Sequence, residues 1–254
     1  MLTSSVLEKT GDYFMPTDIT TLAIEIQSRN ANSDLLKFNK NLENSDSLAK
    51  EVAKSLGIAF GAASVIAYMK RATAQSIAFN RELYNIKSIA GELNLDKIRT
   101  QLVGLDSRLG YAADNAGAFY FAYSAGVRGS EKELVNFTGE VGKLSQAIIS
   151  GQIPTMDAVT SVMNAYGLKA SEVTEVTDMF FQVVKQGKTT GSALANSIGA
   201  ISGVSANAGV SLNDLGNAIA VLTTTMPTER AITSLSSMIT SCLLYTSDAA
   251  DELD

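Results

Sequence analysis

The chain has 254 residues, 26 acids against 20 bases for a formal net charge of −6, no histidine, no tryptophan, one cysteine and three prolines. One cysteine excludes an intrachain disulfide, and the absence of histidine removes the usual general base and the Cys/His type of metal site. Apolar residues reach 46% but aromatics only 7%, so a core is available and must be built largely from small and aliphatic side chains.

Residues 1–14 show no helical or strand period, and Met15-Pro16-Thr17-Asp18 offers a second start. Those first residues read either as lying outside the natural chain or as a disordered arm. No basic region followed by an apolar run stands there, so no signal peptide is read. From Thr20 to Gln27, Leu22, Ile24 and Ile26 alternate with Thr21, Ala23 and Glu25, which predicts a short strand. A lone strand needs a partner, such as one in another subunit. Ser33 to Leu42 is a short helix candidate, and Asn44-Ser45-Asp46-Ser47 offers cap residues for the next helix.

From Leu48 onward, Val52, Leu56, Phe60 and Ala63 share one face, and Ile66, Ile77 and Ile86 carry the pattern to a helix end near Ile89, with Gly91 as the stop. Within it, Leu56 to Met69 is the most apolar run. It is shorter than the roughly 20 residues a membrane span needs. The plain reading is a buried helix; the alternative is contact with a host membrane, with Lys70 and Arg71 at the interface. Between Asp96 and Ala125, Ile98, Leu102, Leu105, Leu109 and Ala112 again mark one face at spacing three to four. Phe119, Tyr120, Phe121 and Tyr123 follow as an aromatic cluster. Such rings could stack on nucleic acid. Only Arg108 and Arg128 lie near, without the basic stripe that phosphate contacts require, so packing is the reading and no specific nucleic-acid binding is expected.

A turn then recurs. Gly126-Val127-Arg128-Gly129-Ser130-Glu131, Gly167-Leu168-Lys169-Ala170-Ser171-Glu172 and Gly209-Val210-Ser211-Leu212-Asn213-Asp214 each place an apolar residue after glycine and a serine ahead of an acid. Glycine ends one helix in the left-handed region and serine caps the next. Ser130 with Glu133, and Ser211 with Asp214, fit the capping box. The glycines recur closely enough to suggest a repeated helical hairpin, and ordinary helix punctuation explains them equally well. Gly187 with Gly191, and Gly199 with Gly203, match a close-packing spacing; Lys188, Asn196 and Asn207 interrupt it, so the reading is tight helix packing in water, or flexible turns, rather than packing in lipid. Breaks are expected near Gly126, Pro154, Gly167, Gly209 and Pro227.

No phosphate-binding loop, dinucleotide fingerprint or nucleophile elbow is present, and Glu131, Glu133 and Glu140 read as a solvated helix face. No catalytic, cofactor-binding or metal-binding residue is assigned. The chain is read as non-enzymatic.

The segment from Pro154 to Ile239 resembles the core region of phage tail tape-measure proteins of the TP901 type. The resemblance is carried by Asn164-Ala165-Tyr166-Gly167-Leu168 with Ser171-Glu172-Val173, by Ala208 to Leu215, by Ala218-Ile219-Ala220-Val221-Leu222, and by Leu235 to Ile239. It implies a structural ruler of a phage or prophage tail, which sets tail length as tube subunits polymerise around it and leaves ahead of the DNA. It implies as partners other copies of itself, tail tube and tail-tip proteins, and assembly chaperones. The implied location is the tail interior of the virion, after assembly in the host cytoplasm. The alternative from another class is a helical membrane-active or pore-forming protein.

Cys242 to Glu252, CLLYTSDAADE, resembles the one-frame translation of a transposase sequencing adapter. On that reading the natural sequence is an N-terminal fragment ending near Ser241, and 242–254 is an artefact to be set aside. The tail holds Asp248, Asp251, Glu252 and Asp254 and no base, so without it 22 acids face 20 bases and the net charge is −2. The acidity therefore predicts no basic partner. The resulting expectation is all-α: an elongated array of helices and hairpins with an N-terminal arm and strand in 1–45, long helices in 46–125, core-like hairpins in 126–241 and the adapter-like tail in 242–254.

Overall fold

A computed structural model describes residues 40, 62–105, 109 and 111–251. The expected strand at Thr20 to Gln27, the start at Met15 and the segment from Leu48 to Gly61 lie outside these residues. Among the described residues the secondary structure includes ten α-helices and a 3-10 turn described over their full length, with Lys40 helical and Leu109 in a 3-10 conformation besides, and no strand, as the spacing of apolar residues predicts for this part of the chain. The helices are α1 (Ala62–Ile89), α2 (Leu95–Val103), α3 (Ala112–Ser124), α4 (Glu131–Ala147), α5 (Gln152–Tyr166), α6 (Val173–Gln186), α7 (Gly191–Ser197), α8 (Gly199–Asn207), α9 (Leu212–Thr223) and α10 (Thr228–Asp251), with the 3-10 turn at Ala170–Glu172. The chain divides into two compact units, 1–78 and 79–254, and the division falls inside α1.

The second unit is organised around α5. This helix packs against α3, α4, α6, α7 and α8. Thr155, Met156, Ala158, Val159, Thr160, Val162 and Met163 are all buried along it. A helix buried on most of its circumference is one that cannot use an apolar stripe alone and must be uncharged nearly all round. Each fully buried Val or Met contributes about 1.5–3 kcal/mol relative to exposure. Pro154 sits in the first turn of α5, where its missing N–H costs no intrahelical bond. At the other end, Asn164 donates from Nδ2 to the Ala125 carbonyl at 2.8 Å and ties α5 to the end of α3.

The interior carries many hydroxyls, and most are satisfied within their own helix. Thr138 donates to Leu134 O, Thr160 to Met156 O and Ser202 to Ile198 O, each across four residues; Ser145 donates to Gly142 O and Thr223 to Ala220 O across three. All five residues are buried. A hydroxyl bonded to the preceding turn removes the penalty of an unpaired buried group. Buried Asn115 is served from another helix, accepting from Gln152 Nε2 at 2.9 Å.

The face read between Asp96 and Ala125 is divided rather than continuous. Asn94 caps α2, accepting from the Lys97 N–H at 3.1 Å, and Gly104 closes it. The chain then crosses to α3. Leu105 and Leu109 kept the helical spacing in the sequence because they pack inward from this crossing. A Cβ built on Gly139 would lie 3.1 Å from Leu105, and one on Gly142 would lie 3.6 Å from Leu109. Both glycines are on α4, so two side chains of the crossing rest on its glycine-thinned surface.

Breaks fall near each expected glycine and proline, the one near Pro154 lying just before it, between Ala147 and Gln152. Gly126, Gly167 and Gly209 have φ of 98°, 66° and 71°. In each turn the glycine N–H bonds the carbonyl three residues back, and the next N–H bonds five residues back: Val127 to Ala122 at 3.1 Å, Leu168 to Met163 at 2.9 Å and Val210 to Ser205 at 3.0 Å. This is the paired Schellman closure. The serines that follow differ. Ser130 forms both halves of its capping box with Glu133. Ser211 accepts from the Asp214 N–H at 3.1 Å and donates its hydroxyl to the carboxylate at 2.6 Å. Ser171 caps nothing; it lies inside the 3-10 turn, where Glu172 instead accepts from the Lys169 N–H at 2.6 Å. Two helices lie between the first pair of glycines and three between the second, so the turns recur while the segments between them do not.

A fourth turn has the same two bonds without glycine. Ile149 N–H bonds Gln146 O at 3.3 Å, Ser150 N–H bonds Ser145 O at 2.9 Å, and Ile149 has φ of 53°. A β-branched residue in the left-handed region costs on the order of 1–2 kcal/mol.

Candidate functional site

The carboxylates of α4 are all engaged in structure. Glu133 accepts from the Ser130 N–H at 2.8 Å, and that hydrogen bond, with the one from the Ser130 hydroxyl, holds its pKa below the ordinary value. Glu131 accepts from the Asn94 N–H at 3.1 Å, which lowers its pKa in the same way. Glu140 pairs with Lys143 at 2.7 Å. These are helix-end and surface functions, not an acid-base pair. No group of three or more metal-ligating side chains gathers among the described residues.

The aromatic cluster is packing. Phe119 and Tyr123 are buried, and Tyr120 and Phe121 are partly so. The Arg128 guanidinium lies 4.2 Å from the centre of the Tyr123 ring, in cation–π geometry, and donates to the Val127 carbonyl at 2.9 Å. Tyr123 donates its hydroxyl to Glu92 Oε1 at 2.7 Å. That bond lowers the Glu92 pKa and raises that of Tyr123. Together with Glu131 and Asn94, it clasps the α1–α2 turn to the α3–α4 turn. Arg128, the arginine beside the rings among the described residues, is thus already committed.

Of the two close-packing glycine pairs, the first is realised. A Cβ on Gly187 would collide with Thr223 Oγ1, and one on Gly191 would collide with the Ile148 carbonyl. Gly199 is in ordinary contact and Gly203 meets nothing, so the second pair is not a packing contact. Gly216, which spacing did not single out, is where α9 meets α6: a Cβ there would lie 2.7 Å from Met179 Cγ.

Beside that contact runs a groove of about 510 Å³ between α6 and α9. Met179, Val183, Gly216 and Ala220 form its buried floor, Gln182, Gln186, Asn213 and Asn217 supply amides, and Glu175 and Asp178 complete the lining. Neither acid has an ion pair or hydrogen bond with another described residue. The second exposed feature is the α4–α5 tip, where Ile149 is 89% exposed and Ile153 44%. Sequence reading missed both features. The groove depends on how two helices separated by α7 and α8 are brought together, and the tip's glycine, Gly151, is the N-cap of α5 rather than the left-handed residue that closes α4. Among the described residues no helix is long and apolar enough to cross a membrane.

The arrangement offers interaction surfaces on an all-helical scaffold. Residues 101–254, from within α2 to the end of the chain, match the family model of phage-related minor tail proteins. No curated protein and no solved structure matches the chain. The matched segment contains the α5-centred packing, the groove and the tip, and the chain belongs to the family of phage-related minor tail proteins.

Proposed function

We propose that this tail protein is a tape measure: a ruler that sets tail length while tube subunits polymerise around it, and that leaves ahead of the DNA. The observation that carries this reading is the resemblance of Pro154–Ile239 to the TP901-type core, which lies wholly inside the segment matched by the tail-protein family. Its partners on this reading are copies of itself, tube and tail-tip proteins, and assembly chaperones, with no catalytic step. The lack of histidine, and the structural use of Glu131, Glu133 and Glu140, support a non-enzymatic role.

The test is an in-frame deletion of about 100 helical residues, placed outside Pro154–Ile239 in the gene that encodes this sequence. A helix rises about 1.5 Å per residue, so a ruler that spans the tail as helix shortens it on the order of 150 Å. Tail lengths are measured by electron microscopy. Viable particles with tails of unchanged length rule out the ruler.

A further inference from the structure

Most buried hydroxyls of the second unit bond a carbonyl of their own helix, and Ser205 and Tyr166 are exceptions. Ser205 lies on α8 and is fully buried; Tyr166 ends α5 with its hydroxyl buried. Burial raises the Tyr166 pKa and the nearness of Ser205 lowers it in part, so the two hydroxyls meet where α5 and α8 pack together. Neither completes a hydrogen bond with any described residue. We propose that α8 is a gate over the α5 hub: it opens locally, ahead of the rest of the second unit, and uncovers the side of α5 that it packs against.

Three features weaken this helix. Its buried residues are Ile201, Ser202 and Ser205, whereas α6 buries Val173, Val176, Met179, Phe180 and Val183. The close approach of α8 to α5 and α10 therefore removes little apolar surface from water, and tertiary burial is what holds so short a helix in place. Gly203 is exposed in the middle of α8, and a Cβ there would meet nothing within 4 Å. No packing contact calls for glycine at 203, where it lowers helix stability relative to alanine. Finally, the Ser205 and Tyr166 hydroxyls gain hydrogen bonds to water when α8 moves away, so the unmade pair favours the open form.

Opening at α8 leaves the neighbouring contacts in place. Gly216 of α9 stays seated against Met179 of α6, and Gly187 against Thr223 of α9. Helix α5 keeps α3, α4 and α6, and α10 keeps α7 and α9. Segments with few buried apolar contacts are the ones that open without global unfolding. The gate does not depend on the ruler reading: exchange measured on the chain alone reports α8 whether or not tail length follows a deletion.

Hydrogen exchange on the full chain, resolved by peptide mass spectrometry, provides the test. Amides of α8 are expected to exchange about tenfold or more faster than those of α5, after correction for intrinsic rates. Guanidinium well below the unfolding midpoint should accelerate α5 and leave α8 nearly unchanged, because a local opening exposes little surface. Gly203→Ala should slow α8 exchange about fivefold. Ser205→Ala and Tyr166→Phe should each slow it about fivefold or more, since each removes a hydroxyl that lacks its hydrogen bond in the closed form. Protection of α8 equal to that of α5, or an α8 that shares the denaturant response of α5, would overturn the proposal. So would faster α8 exchange in both hydroxyl variants, which would show that a bond between Ser205 and Tyr166 fastens the two helices.

Discussion

Helix α5 and the outer part of α10 are both regular helix, yet they are helical for different reasons. Along α5, burial continues from Thr155 to Met163 against five neighbouring helices. Along α10, burial recurs at Ala231, Ile232, Leu235 and Ile239, and then Ser241, Cys242 and Leu243 are exposed. The helix nevertheless runs on to Asp251. Once the packed first half of α10 has paid the cost of nucleation, each further residue adds a hydrogen bond at little expense. Helix content and contribution to stability are therefore separate quantities in this molecule.

The strongest way to break this comparison is Met163→Ala. Met163 is buried on α5, and removing its side chain should cost about 2–5 kcal/mol through lost transfer energy and the cavity left behind. Denaturant unfolding measures it, and a loss below about 1 kcal/mol would show that α5 is not the hub.

A smaller effect is expected at the entry to α4. Ser130→Ala removes an N-cap and should cost about 1 kcal/mol. The same region gives a pH signature. The Glu92, Glu131 and Glu133 pKa values are lowered from an ordinary value of 4.5, chiefly by the hydrogen bonds from Tyr123, Asn94 and Ser130 respectively. A lowered folded pKa means that the stabilisation is complete above about 4.5 and is lost as pH falls through the folded values. The melting midpoint should fall on acidification through that window, and a Glu133→Gln variant should lose less over the same range. An unchanged midpoint in wild type down to the lowest pH of the window would contradict the clasp and cap geometry.

The smallest effect sharpens the other side of the comparison. Deleting 242–254 should leave the circular dichroism signal per remaining residue and the melting midpoint nearly unchanged, because Thr240, Ser241, Cys242 and Leu243, which follow the last buried contact at Ile239, are all exposed. A loss of more than about 1 kcal/mol would make the outer end of α10 a structural element.

Much of this fold was legible in the sequence, for local reasons. Gly126, Gly167 and Gly209 announced their turns because glycine followed by an apolar residue is the chemistry of the Schellman closure, and Ser130 and Ser211 announced the helices that follow. The end of α1 at Ile89 and the helix start after Pro227 were legible in the same way. Ser171 misled because cap chemistry depends on where the backbone turns, and there it turns at Lys169. Leu105 and Leu109 misled because residues of a crossing can keep helical spacing when they pack on the same core. The groove and the Ile149 tip were illegible for a tertiary reason. Gly216 matters only because Met179 is opposite it, and Ile149 takes a glycine's conformation without being one.

The self-bonded hydroxyls of the interior have a consequence for how such a protein can change over generations. Thr138, Thr160, Ser145 and Ser202 bond to their own helices, so these bonds prescribe nothing about the residue each one faces. At these positions alanine, serine, threonine and valine differ in little more than bulk. Lineages can exchange them one at a time, with no matching change across the helix interface. The expectation is that residue identity at these positions erodes before the arrangement of helices does. What resists such drift is the small set of positions where geometry admits one answer, such as Gly191 against Ile148 and Gly216 against Met179.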